Sequence, residues 1–326
     1  MTQRNSSLEL LRILSILGIL YMHMLAEFGS KMQTGTQLLR VCSDSLFNAG
    51  VTCFVLISGY FGIKRNIKKL IYLDLMVIFY DIIGLVLYAM YGQSLGAKNI
   101  LSAIFPIISG RYWFLSCYFF LALLAPYIEI LLDHINKAQA EQLILLLLIL
   151  FYAIPTFLYF QLMHDEGKGL VNMFVMYIIG RYFGKYKHQI EFSRRRLFVL
   201  FLVNLALIIG LNLVTGKVTG SLSTIWSRDC SLFILISALL IFGIFLRMEF
   251  RSSVINRIAE SVLAIYVLSP YVQFVMEQYI PFESYDGKWY LPFVIAGLVM
   301  ASAAICIGID QARKGMIKLF VSCRRK

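Results

Sequence analysis

The sequence predicts an all-α fold: a polytopic bundle of about ten transmembrane helices with both termini in the cytoplasm. Three observations predict it. Hydrophobic residues make up 60% of the 326 and charged residues only 15%. Mean hydropathy is +0.77. The apolar residues fall in blocks of about 20, the length that crosses a bilayer. Soluble domains carry about 45–50% apolar and about 25% charged residues. A soluble enzyme, a disordered chain and a secreted disulfide scaffold are therefore excluded as readings.

In chain order the spans read 8–27, 45–63, 70–92, 112–132, 143–162, 169–186, 196–215, 228–246, 258–280 and 289–311. Segment 99–109 is apolar but short, and reads as a re-entrant or interfacial piece. The first span contains Glu9 and Arg12 and no small-residue cleavage site follows it, so it reads as a retained helix and not a signal peptide. Connections are short, and no linker or internal repeat is evident. Residues 1–326 read as a single membrane-embedded domain.

The charge pattern supports this count. The chain holds 30 Lys+Arg against 18 Asp+Glu, a net charge of +12. Such an excess in a soluble protein points to nucleic acid; in a membrane protein it marks the cytoplasmic loops. With ten spans and the N-terminus inside, 21 basic residues fall on the cytoplasmic side and 8 outside, with Arg12 in the first span. An odd number of spans scrambles that alternation. The reading is thus a multi-pass membrane protein, its partner the lipid bilayer and no nucleic acid. Six cysteines are scattered without a Cys-x-x-Cys pair, so no metal is expected.

Charged groups at membrane depth are costly and face the protein interior, so they locate a working site. The first span carries Arg12 and His23, 11 residues apart. At about 100° per residue they share one helix face, about 16 Å apart along the axis. Glu9 precedes Arg12 by three residues and Glu27 follows His23 by four, both within reach on that face. One reading is a cationic anchor and a general base at opposite ends of a buried cavity, the imidazole oriented by a carboxylate. The other is an arginine that snorkels to the interface and a histidine bonded to a neighbouring helix.

The second span ends in Ser58-Gly59-Tyr60, and Lys64, Arg65, Lys68 and Lys69 follow. A small Ser-Gly step lets backbone or ligand approach closely. The basic loop can hold phosphates, or serve only as a positive-inside anchor. The fourth span opens with Arg111, Tyr112 and Trp113 and continues through Tyr118. These aromatics suit an interfacial belt or the wall of a sugar-binding pocket. Asp74 and Asp81 share a face of the third span and suit ion pairing, with Arg181 or another basic residue, or proton relay. His134, His164 and His188 read as solvated; Tyr266 and Ser269 read as helix-packing residues.

Taken together these residues resemble the acyltransferase-3 family of integral-membrane O-acyltransferases. The resemblance rests on Leu8-Glu9-Leu10-Leu11-Arg12 followed by His23, an Arg-x10-His pattern, and on Phe54 through Ser58-Gly59-Tyr60. Trp113, Phe114, Tyr118 and Pro126 match a Trp-Phe…Tyr…Pro helix, and Tyr177 with Gly180 matches Tyr-x-x-Gly. Two departures stand out. Arg65-Asn66-Ile67-Lys68 replaces the family's frequent Arg-x-x-Arg, and Ser269 stands where a Tyr-x-x-His pattern places histidine.

The resemblance implies a bundle of about ten helices and transfer of an acyl group (not an amino-acyl), usually acetyl from acetyl-CoA as co-substrate. The acceptor it implies is a hydroxyl of a cell-envelope carbohydrate or lipid-linked glycan. Carried over, His23 is the catalytic base, Arg12 supports the donor, and Glu27 joins them as the carboxylate beside the base. Lys64, Arg65 and Lys68, with Ser58, Gly59 and Tyr60, are the candidate donor contacts; Arg111, Trp113 and Tyr118 are the candidate acceptor contacts. A transporter or flippase of a small metabolite or lipid-linked glycan is the rival reading, and a non-catalytic partner of an envelope synthase a third.

Overall fold

A computed structural model describes residues 5–26, 33–186 and 193–323, with side chains to residue 319. Fourteen α-helices form these residues: α1 (Ser6–Ala26), α2 (Thr34–Phe47), α3 (Ala49–Phe61), α4 (Ile67–Met90), α5 (Ala97–Ile104), α6 (Trp113–His134), α7 (Lys137–Leu148), α8 (Ile154–Phe157), α9 (Leu170–Tyr186), α10 (Arg194–Thr219), α11 (Leu232–Leu246), α12 (Ser253–Ala259), α13 (Val262–Glu277) and α14 (Leu291–Cys323). No strand occurs among the described residues.

Polar caps start several of these helices. Asn5 accepts from the Ser7 and Leu8 N–H groups at α1. Asn66 caps α4, Ser193 caps α10 and Ser252 caps α12. Asn136 and Gln139 form a reciprocal capping box at α7. Gly220 ends α10 in the left-handed region that glycine favours.

Among the described residues seven helical runs are long and apolar enough to cross a membrane. They are α1, the joined α2–α3 rod, α4, α6, the α7–α8 run through a π-helical turn at Ile149–Ala153, α10 and α14. The pair α12–α13 makes an eighth if taken as one span bent by 55°. The remaining two sequence-read spans, 169–186 and 228–246, fall on α9 and α11, helices of only 17 and 15 residues. The joined α2–α3 rod starts at Thr34, eleven residues before the read span at 45. Segment 99–109 holds amphipathic α5 and the turn after it, with Ala103 and Ile107 buried and Ile104, Phe105 and Ile108 exposed.

The core has two main parts, and α1 belongs to both. Ile16, Leu20, Met24 and Leu25 pack with α4, α13 and α14. Leu8 and Leu11 pack with α3, α9 and α11. A third cluster joins α3, α6 and α9 around Val55, Leu121 and Tyr177. One end of the bundle gathers basic side chains. There Lys185 meets Asp133, Lys314 meets Glu260, and Arg181 meets Glu129.

Helices α3 and α9 touch backbone to backbone. A Cβ added to Gly59 would collide with the Tyr177 carbonyl oxygen, one added to Gly180 with that of Leu56, and one added to Gly184 with that of Tyr60. Small residues give membrane helices this close approach. The Gly59 of the Ser-Gly step therefore meets helix backbone. Gly180→Ala is expected to destabilise the protein by about 1–3 kcal/mol, the cost of overpacking a close interface. Gly210→Ala has open space around it, and its expected change is neutral or stabilising by at most about 1 kcal/mol. Thermal unfolding of both variants in one detergent checks this; equal midpoints refute the close-packing argument.

Candidate functional site

A cavity of about 920 Å³ lies between the two halves of the core. Its walls come from α1, α3, α4, α6 and the bent α12–α13 pair. Six sequence-predicted residues line it: Arg12, His23, Ser58, Arg111, Trp113 and Tyr118. The helical pitch separates Arg12 from His23, so one cavity runs from the basic end toward the opposite end.

Arg12 donates through one guanidinium nitrogen to both Glu9 oxygens, at 3.1 and 3.2 Å. The pair shares α1, three residues apart, and Arg12 lines the cavity. His23 is exposed on the cavity wall on the same face of α1, about three turns further along. Glu27 lies outside the described residues.

Ser58 donates to the Phe54 carbonyl at 2.9 Å and sits 3.3 Å from the Tyr118 hydroxyl. Tyr118 stacks on Phe114, which meets Phe54 and Tyr266 edge to face. These rings form an apolar middle section. Tyr60 turns elsewhere, against Phe61 and Phe242.

Arg111 is held on three sides. It donates to Asp81 at 3.1 Å, to Ser102 of α5 at 2.6 Å and to the Tyr271 hydroxyl at 2.6 Å. Asp81 also accepts from Tyr112 at 2.7 Å and Tyr271 at 2.6 Å. Asp81 is fully buried, while Arg111 keeps a fifth of its side chain exposed on the cavity wall. Asp81 thus pairs with Arg111. Arg181 pairs with Glu129 at 2.6 Å.

Lys64 and Arg65 are exposed in the α3–α4 connection and Lys68 in the first turn of α4, at the basic end and outside the cavity wall. The root of that loop is fixed. The Ile63 N–H donates to the Tyr177 hydroxyl at 3.0 Å, and Tyr177 donates to Glu129 at 2.8 Å. His134 and His164 are exposed; His188 lies outside the described residues. Among the described residues no three His, Cys, Asp or Glu side chains gather where they could hold a metal ion.

Several wall residues were not read as site residues. Tyr266, Ser269, Gln273 and Glu277 line the cavity from α13. They recur at spacings of three, four and four, one polar stripe on an otherwise apolar helix. That spacing was the available signal. Tyr271 is a different case, since only the fold brings it to Arg111.

The arrangement offers an imidazole and a guanidinium on the wall of one aromatic-lined cavity. Residues 5–309 match the family model described as an acyltransferase domain. No curated protein and no solved structure matches the chain. The match covers nearly the whole chain, including every helix that lines the cavity. The chain belongs to the acyltransferase-3 family and is a membrane acyltransferase.

Proposed function

We propose that this protein is an O-acyltransferase that moves an acetyl group from acetyl-CoA to a hydroxyl of a cell-envelope carbohydrate or lipid-linked glycan. The observation that carries the reading is a single cavity that reaches both Arg12 and His23. It allows a donor and an acceptor to meet inside the bundle. In this reading ten spans cross a bacterial cytoplasmic membrane, with both termini and the basic end inside.

The CoA phosphates dock on Lys64, Arg65 and Lys68, and the pantetheine arm enters past Ser58 toward Arg12. The acceptor enters from the opposite end, against Arg111, Trp113 and Tyr118. His23 takes the proton of the attacking hydroxyl. The hydroxyl oxygen bonds to the thioester carbonyl carbon, and the carbon–sulfur bond breaks. The sulfur leaves as CoA thiolate and receives the proton back from the imidazolium. In this reading the carboxylate of Glu27, four residues on, orients His23. Aromatic side chains suit a sugar ring because they present apolar faces with polar edges.

The test uses purified protein in lipid, labelled acetyl-CoA and an envelope glycolipid fraction. Label in carbohydrate is the expected result. Absence of CoA binding by folded protein overturns the reading and favours transport. The loop assignment has its own test. Replacing Lys64, Arg65 and Lys68 together by Gln is expected to raise KM for acetyl-CoA by about tenfold or more, since charge-assisted phosphate contacts contribute about 1.5–3 kcal/mol each before exposure weakens them. The KM rise should shrink at high salt. A change in kcat with unaltered KM argues against phosphate contact.

A further inference from the structure

A second cavity, of about 630 Å³, lies apart from the first, between the start of α10 and the end of α11. Its walls are Arg194, Arg195, Phe198, Ile244 and Met248. The family reading and the acyl-transfer site use none of these residues.

Three features define what fits there. First, Arg194 and Arg195, both exposed in the first turn of α10, contribute to the wall, and neither pairs with a carboxylate among the described residues. Arginine matches phosphate in planar, forked geometry and stays charged at every relevant pH. Second, the rest of the wall is apolar. Phe198, Ile244 and Met248 offer no hydrogen-bonding group, so a free phosphate or nucleotide finds no partner beyond the arginines. Third, the groove continues onto the side of α10 that meets lipid. Phe198, Val199 and Leu202 are each about half exposed there. An anionic head with acyl chains satisfies all three features at once.

We propose that this groove binds an anionic phospholipid, its phosphate on Arg194 and Arg195 and an acyl chain along Phe198, Ile244 and Met248. Basic pockets between helices at this depth select anionic lipids by adding fixed charge complementarity to ordinary bilayer contact. An unstructured excess of positive charge predicts something different: any basic residue at this end contributes equally, and headgroup selectivity follows net charge alone.

The experiment uses the full chain purified in detergent. Phosphatidylglycerol and phosphatidylcholine with identical acyl chains are titrated in, with retained lipid read by native mass spectrometry and stability by thermal unfolding. Phosphatidylglycerol is expected to bind about tenfold or more tightly, given roughly equal contributions from two arginines. The Arg194→Gln/Arg195→Gln variant is expected to lose that preference. A charge-matched control, Lys69→Gln/Lys318→Gln, is expected to keep it. Equal binding of the two lipids by wild type overturns the proposal. So does a preference that survives in the arginine variant or vanishes in the control. Inorganic phosphate and glycerol phosphate form a further arm; a thermal shift from either that equals the lipid's overturns the lipid assignment. If the arginine variant does not fold, Ile244→Trp, which fills the groove, is read in its place against the same criterion.

Discussion

His23→Ala is expected to lower the acyl-transfer rate by about 10²–10⁴-fold, the contribution of a positioned general base. Binding of acetyl-CoA should stay close to wild type, because the proposed phosphate contacts lie at the other end of the cavity on Lys64, Arg65 and Lys68. This separation is what makes the experiment decisive. His23 is exposed on a cavity wall, outside the buried core, so its removal is expected to leave the fold intact. The neighbouring buried residues, Met24 and Leu25, hold α1 in place. A folded His23→Ala protein that binds donor but does not transfer assigns the base. A folded variant that transfers within a few-fold of wild type removes His23 from the chemistry, and with it the argument from the shared face of α1. Arg12→Gln separates the two ends of that face. It should leave the base in place and weaken donor engagement, seen as a rise in KM for acetyl-CoA.

Much of this site was legible because a membrane helix is a regular object. Arg12 and His23 could be placed on one face from their spacing alone, and both line one cavity. The cost of burying charge made them conspicuous in an apolar run. The same logic, applied to α13, would have found Tyr266, Ser269, Gln273 and Glu277, but tyrosine and serine are ordinary at helix contacts and the stripe did not stand out. Periodicity cannot pair helices. Asp81 was visible as a buried acid, yet its partner Arg111 lies 30 residues away beyond α5. Nor can composition distinguish a glycine that admits a ligand from one that admits a helix. Gly59 meets the Tyr177 carbonyl because Gly180 and Gly184 on α9 repeat at four residues and face it. Span lengths were the other weak point. Helices α9 and α11 were read as 18- and 19-residue spans but form 17 and 15 residues, because the read spans take in Gly169 before α9 and the polar turn Arg228–Ser231 before α11.

The largest structural effect is expected from Asp81. Removing one partner of a buried ion pair strands the other, at a cost of about 3–5 kcal/mol. Asp81→Ala does so more completely than most such changes, because three donors converge on one carboxylate oxygen: Arg111, Tyr112 and Tyr271. Asp81→Asn keeps the shape and one acceptor oxygen but removes the charge that balances Arg111. Its expected cost is smaller, about 1.5–3 kcal/mol, the range for hydrogen bonds to a charged group. Arg111 adds a functional consequence. Its guanidinium is pinned by Asp81, Ser102 and Tyr271 at the cavity wall. Freed from Asp81, it can swing into the space where the acceptor is proposed to sit. Asp81→Asn should therefore raise KM for the acceptor and leave KM for acetyl-CoA unaltered. A double-mutant cycle with Arg111→Gln isolates the pair, since both changes act on one interaction and should fall short of additivity. Thermal unfolding reads the stability arm, and acceptor titration reads the other. If Asp81→Ala unfolds within about 1 kcal/mol of wild type, the pair does not experience the low-dielectric interior on which the 3–5 kcal/mol rests. Arg111 would then be solvated from the cavity, and its three contacts would position nothing.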